Sequence, residues 1–144
     1  MNSMRQSVFL VSILLAAMPL TGEQFPFAAA PRQQPNVSAA ESGVRDTLQR
    51  YSAALESLDA NAVKKVQPSL AAENLAKAFK EMKELKVTID TVKVLSAEGA
   101  TARVSCRVTQ TLTPKVGSKQ TTAVTRVMRL RREADSWVID AFER

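Results

Sequence analysis

The hydrophobic period of this chain changes once, at Glu84-Leu85, and that change limits what the chain can fold into. Before it, apolar residues recur at steps of three and four. Val44, Leu48, Tyr51, Leu55 and Leu58 follow steps of 4, 3, 4 and 3, one face of a helix. After it, apolar and polar residues alternate, as they do along a half-buried strand. A run of helices followed by a run of strands predicts an α+β domain with segregated layers.

The local signals set expected boundaries. The first helix is expected from Ala39 to Asp59, capped by Ser38 or Ser42, with Glu41 and Asp46 at the positive end of its dipole. Asp59 and Asn61 offer a break and a new cap. A short helix is then expected over Ala60 to Val66, stopped by Pro68. Ser69 is the expected cap of a third helix, Leu70 to Met82. Its apolar face is Leu75, Phe79 and Met82, and its wet side is Lys77, Lys80, Glu81 and Lys83.

Four strands follow. In the first, Leu85, Val87 and Ile89 share one parity and Val92 and Val94 the other, so a β-bulge is expected near Asp90-Thr91. Residues 97–100 read as a turn. "ATARVSCRVTQTLT" then alternates, with Ala102, Val104, Cys106, Val108, Gln110 and Leu112 on one face. "PKVGSK" is a hairpin loop, "TTAVTRVMRLRRE" the third strand, "EADS" a turn and "SWVIDAFE" the last strand. Short connections predict an antiparallel meander with one face under the helices.

The chain begins differently. Arg5 precedes an apolar run of 13 residues, Val8 to Leu20. That length suits the hydrophobic region of a signal peptide and is short for a membrane span of about 20 residues. Residues 1–30 are therefore expected to be a signal peptide with its cleavage region, cut after Ala30 or after Gly22, or retained as an N-terminal anchor. No cysteine follows the run, so no lipoprotein site is expected. Residues 31–40, "PRQQPNVSAA", read as a linker, and residues 41–144 as the domain. The expectation is a periplasmic or secreted protein with no stable membrane insertion once the signal is removed.

Composition excludes several chemistries. The chain has no histidine and one cysteine. Ser-His-Asp and Cys-His catalysis and an ordinary zinc site are ruled out, and no metal or other cofactor is expected. A net charge of +6 favours anionic partners. Arg103, Arg107, Arg129 and Arg131 share the outer parity of adjacent strands and predict a basic stripe on the open sheet face. No aromatics interleave with it, and the chain is expected to be exported, so no nucleic-acid partner is expected.

Three stretches together resemble the nuclear transport factor 2-like superfamily. They are "VRDTLQRYSAALESLDANAVKKV", the β-branched and basic stretch from Val87 to Arg132, and the terminal "DSWVIDAF". The resemblance covers residues 40–144. It implies a cone: three helices packed on a curved antiparallel four-stranded sheet, as in cystatin-like and SnoaL-like folds. Within the superfamily, "QRYSAAL" is similar to the first helix of ketosteroid isomerases, where a tyrosine donates a hydrogen bond to an enolate oxygen. Tyr51 is the matching position. The segment matching the family's aspartate general base is here "VQPSLAAENLAKAF", which has no aspartate. The position matching its protonated aspartate is Arg126, which cannot act as a neutral acid.

These readings give a ligand pocket lined by Tyr51, Phe79, Cys106 and Arg126. Tyr51 is core-facing by period. Arg126 lies on the inward parity between Val124 and Met128 and needs an acceptor, from Asp90, Glu73, Asp140 or an anionic ligand, unless it reaches solvent. Cys106 is expected to be an inert buried thiol. The expected function is an exported, non-catalytic module binding a small apolar or anionic ligand or a protein. One alternative is an isomerase-, dehydratase- or cyclase-type enzyme with Tyr51 as donor and Asp90 or Asp140 as base. The other is a structural module forming a homodimer through the open sheet face.

Overall fold

The computed structural model describes residues 37–144. The expected signal peptide and the first part of the linker lie outside the described residues. The linker expectation loses its last four residues, because α1 begins at Val37.

Three helices precede four strands: α1 (Val37–Glu56), α2 (Ala60–Val66), α3 (Ala72–Lys80), β1 (Met82–Glu98), β2 (Thr101–Pro114), β3 (Gln120–Glu133) and β4 (Ser136–Glu143). The strands form one antiparallel sheet in the order β1-β2-β3-β4. α1 ends where Leu58 takes a left-handed conformation (φ 55). α2 follows at once because the Asp59 carboxylate accepts the Asn61 and Ala62 N–H groups.

α3 is shorter than expected. Ser69 does not cap it; its hydroxyl donates to the Asp140 carbonyl at 2.9 Å, and the N-cap is Ala71, with no side-chain bond. A tertiary contact has taken the local capping group. The bulge in β1 falls where the parity slips: the register shifts between Asp90 and Lys93, and Thr91 sits at φ 52.

The core lies between α1 and the sheet. Val44, Leu48, Tyr51 and Leu55 meet Ala102, Val104, Cys106, Met128, Leu130 and Ile139 in one buried cluster. Polar bonds fix the position of α1 at its middle and at its C-terminal end. At its middle the buried Thr47 hydroxyl lies 3.0 Å from the Trp137 carbonyl of β4, and Arg50 donates to the same oxygen at 3.3 Å. Gly43 lies against the Trp137 ring. At its end Glu56 accepts the Val87 N–H at 2.9 Å, covering part of the outer edge of β1. Tyr51 therefore sits between the two points at which the helix is held.

Candidate functional site

α1, β2, β3 and β4 meet at a recess of about 190 Å³ lined by Tyr51, Val108, Gln110, Arg126, Met128 and Phe142. Alternation along β2 and β3 puts Val108, Gln110, Arg126 and Met128 on the helix-covered side. Phe142 reaches the same side because the β3–β4 register shifts at Arg129/Leu130, so that Met128 pairs with Phe142 while Leu130 pairs with Ile139.

The Phe142 ring lies beside both polar groups. Tyr51 tilts against it at 6.3 Å and 48°, and the Arg126 guanidinium lies 5.8 Å from its centroid. The second distance is within range of a cation–π contact. Burial pushes the Tyr51 hydroxyl above its usual pKa, more than the nearby Arg126 charge lowers it. Tyr51 is thus a neutral hydrogen-bond donor at neutral pH. Neither the Tyr51 hydroxyl nor the Arg126 guanidinium has a hydrogen-bond partner or carboxylate among the described residues. Arg126 is exposed at the mouth rather than buried, and none of its expected acceptors, Asp90, Glu73 or Asp140, pairs with it. Among the described residues, no carboxylate lines the recess.

Two expected pocket residues lie elsewhere. Phe79 is buried in α3 but lines a separate shallow groove with Leu58, Asp59, Ala60, Asn61, Ala76 and Lys80. Helical period had placed it on an apolar face without saying which wall that face meets. Cys106 pairs across the sheet with Arg126 but is fully buried behind the recess. Burial, with a smaller contribution from Asp90, raises its thiol pKa. Native protein is expected to resist Ellman's reagent until it is unfolded; fast reaction of the native thiol would contradict this placement.

Phe142 was missed by sequence reasoning. The signal was present: Trp137 and Ile139 share a parity that Phe142 breaks, as a bulge requires.

The basic stripe also needs correction. Arg103, Arg107, Arg129 and Arg131 do share the open face, but β4 brings acids to it. Arg103 grips Glu143 through both carboxylate oxygens, Arg129 bonds Asp140 at 2.9 Å, and Arg131 reaches Glu133 and Asp140 at 3.3 and 3.8 Å. The Arg103 hydrogen bond holds the Glu143 carboxyl below its usual pKa. Of these four arginines, only Arg107 lacks an ion-pair partner among the described residues. The face is a ladder of mixed charge, not a positive field.

No protein-family model matches the sequence, and no curated protein matches it significantly. Solved structures do. A nuclear transport factor 2-like superfamily protein from Salmonella enterica serovar Typhimurium superposes with TM-score 0.63 at 15% identity, covering 74% of this chain and 89% of that one. A candidate dehydratase of the same family from Streptomyces avermitilis gives 0.62 at 16% identity, covering 74% and 95%. A hexachlorocyclohexane dehydrochlorinase gives 0.62 at 10% identity, covering 73% and 83%. The chain has the α+β cone of the nuclear transport factor 2-like superfamily, with three helices on an open four-stranded sheet. At these identities the likeness is one of fold.

Proposed function

We propose that the domain is a non-catalytic binding module, exported by its N-terminal segment, that holds a small apolar carboxylate in the recess between α1 and β3. One observation carries this reading: a neutral phenol and an unpaired guanidinium line one recess, whose other described lining residues are Val108, Met128, Phe142 and the uncharged Gln110, with no carboxylate. Arg126 supplies charge and a forked donor, Tyr51 a second donor, and Phe142, Met128 and Val108 an apolar bed. A cavity of about 150 Å³ holds benzene, so this recess suits one ring or a short branched chain, with its carboxylate at the mouth.

Calorimetric titration with benzoate and with benzyl alcohol tests the reading. Benzoate is expected to bind and its neutral analogue to bind far more weakly. Arg126→Met removes a charge-assisted bond and is expected to weaken benzoate about tenfold or more; Tyr51→Phe is expected to weaken it about fivefold. Equal affinity for the alcohol, or unchanged affinity in Arg126→Met, would contradict the anchor.

The names of the structural neighbours favour a second reading, an enzyme catalysing elimination or isomerisation. Such chemistry needs a base within reach of the substrate. Asp140 is engaged by Arg129 and Arg131 on the open face, and Asp90 is exposed and accepts the Thr91 hydroxyl. Neither lines the recess. Turnover abolished by Asp90→Asn would establish the enzyme over the binder.

A further inference from the structure

β3 is 14 residues long and β4 is 8. β2 pairs with β3 from Gln120 onward, whereas β4 pairs only with Val127–Glu133. Gln120–Arg126 thus has one side of its backbone ladder paired and the other without a strand among the described residues. All seven residues of this segment are exposed, including Val124 at 36%. Their free side offers roughly three or four outward N–H and C=O pairs.

Natural sheets blunt such edges with lysines, prolines, bulges or brevity. The outer edge of β1 is bulged, and Glu56 caps part of it. The segment "QTTAVTR" has no proline, glycine or lysine, and the β2–β3 register runs through it without a shift. Three of its residues are threonine and one is valine, which suit an extended, paired strand.

We propose that this edge pairs with the same segment of a second copy, antiparallel about a two-fold axis through Ala123, joining two four-stranded sheets into one of eight. The segment is self-complementary in that register. Gln120 faces the partner's Arg126, Thr121 the partner's Thr125, Thr122 the partner's Val124, and Ala123 the partner's Ala123. No like charges meet: each guanidinium stands opposite an amide. Threonine–threonine and threonine–valine pairs are favourable cross-strand neighbours. Just beyond the segment, the partner's Lys119 arrives at the end of β4, where Glu143 ends the strand. A two-fold axis normal to the sheet keeps both helix-covered faces on one side. The partner's Gln120 then stands beside Arg126 at the mouth of the recess and adds a wall to it. The pairing rests on the edge alone and does not depend on the ligand reading.

One strand from each copy makes a contact at the small end of specific interfaces, so association is concentration-dependent. Sedimentation velocity on the full chain from ~1 to ~200 µM spans that range. Three proteins are compared: the unaltered chain, Thr121→Lys/Thr125→Lys and Thr121→Glu/Thr125→Glu. Both positions are exposed, and unchanged circular dichroism melts verify folding. The unaltered chain is expected to dimerise. Each variant alone, with like charges opposed twice, is expected to associate at least tenfold more weakly. An equimolar mixture of the two variants is expected to recover dimer. A monomeric unaltered chain overturns the proposal and leaves the edge to some other strand. Dimerisation that persists equally in the lysine variant, or a mixture that stays monomeric, overturns it as well.

Discussion

Leu130→Ala is expected to lower the stability of the domain by about 2–5 kcal/mol, the largest effect of any single truncation considered. Leu130 is fully buried. It lies mid-sheet, paired with Ala102 of β2 on one side and Ile139 of β4 on the other. Ala102 is already small and offers no side chain to fill the space. The neighbouring strands are held by their own ladders, so the cavity cannot collapse by moving one of them. For a domain of this size each kcal/mol shifts the melting temperature by about 4–8 °C, so a fall on the order of 10 °C or more is expected. Arg132→Ala, exposed near the end of the same strand, is expected to stay within about 0.5 kcal/mol. Calorimetric melts of the two variants check the contrast. A Leu130→Ala change no larger than that of Arg132→Ala would place the core elsewhere.

Gly43→Ala is expected to destabilise although it adds one methyl to a helix and raises helix propensity by up to about 1 kcal/mol. A Cβ at this position would meet Trp137 Cδ1 at 2.6 Å and Nε1 at 2.9 Å. The ring is 7% exposed, and its strand is tied to α1 through Thr47 and Arg50. It cannot move without loosening those bonds. Overpacking of this kind costs about 1–3 kcal/mol, so the propensity gain is outweighed. Urea unfolding with an unchanged slope and a lowered midpoint is the expected signature. A raised midpoint would mean that the ring yields freely and that the contact does not fix the angle of α1.

Elements governed by local rules were legible in the sequence. The Asp59 cap and the Pro68 stop bound α2 where the structure has it. The parity slip at Asp90-Thr91 marked the bulge in β1. What depended on distant partners was not legible. The Ser69 hydroxyl is taken by Asp140 of β4, so the expected cap of α3 was a group already in use. The open-face arginines lay on one parity, but their carboxylates come from β4, whose alignment turns on a one-residue shift at Arg129/Leu130. That shift also brings Phe142 to the recess in place of the expected Phe79. Tyr51 and Arg126 fell together because the period of one helix and the alternation of one strand each point inward, and each needed no other information.

The central claim is that Tyr51 and Arg126 hold the carboxylate of a ligand bedded on Phe142. A 15N-resolved NMR titration of the unaltered chain and of Arg126→Met with benzoate tests it most directly. Saturable shifts confined to the amides around Tyr51, Val108, Arg126 and Phe142, lost in Arg126→Met, are the expected result. No saturable shift at ~10 mM, a concentration that would still reveal millimolar binding, would contradict the claim. So would the same shifts with and without the guanidinium.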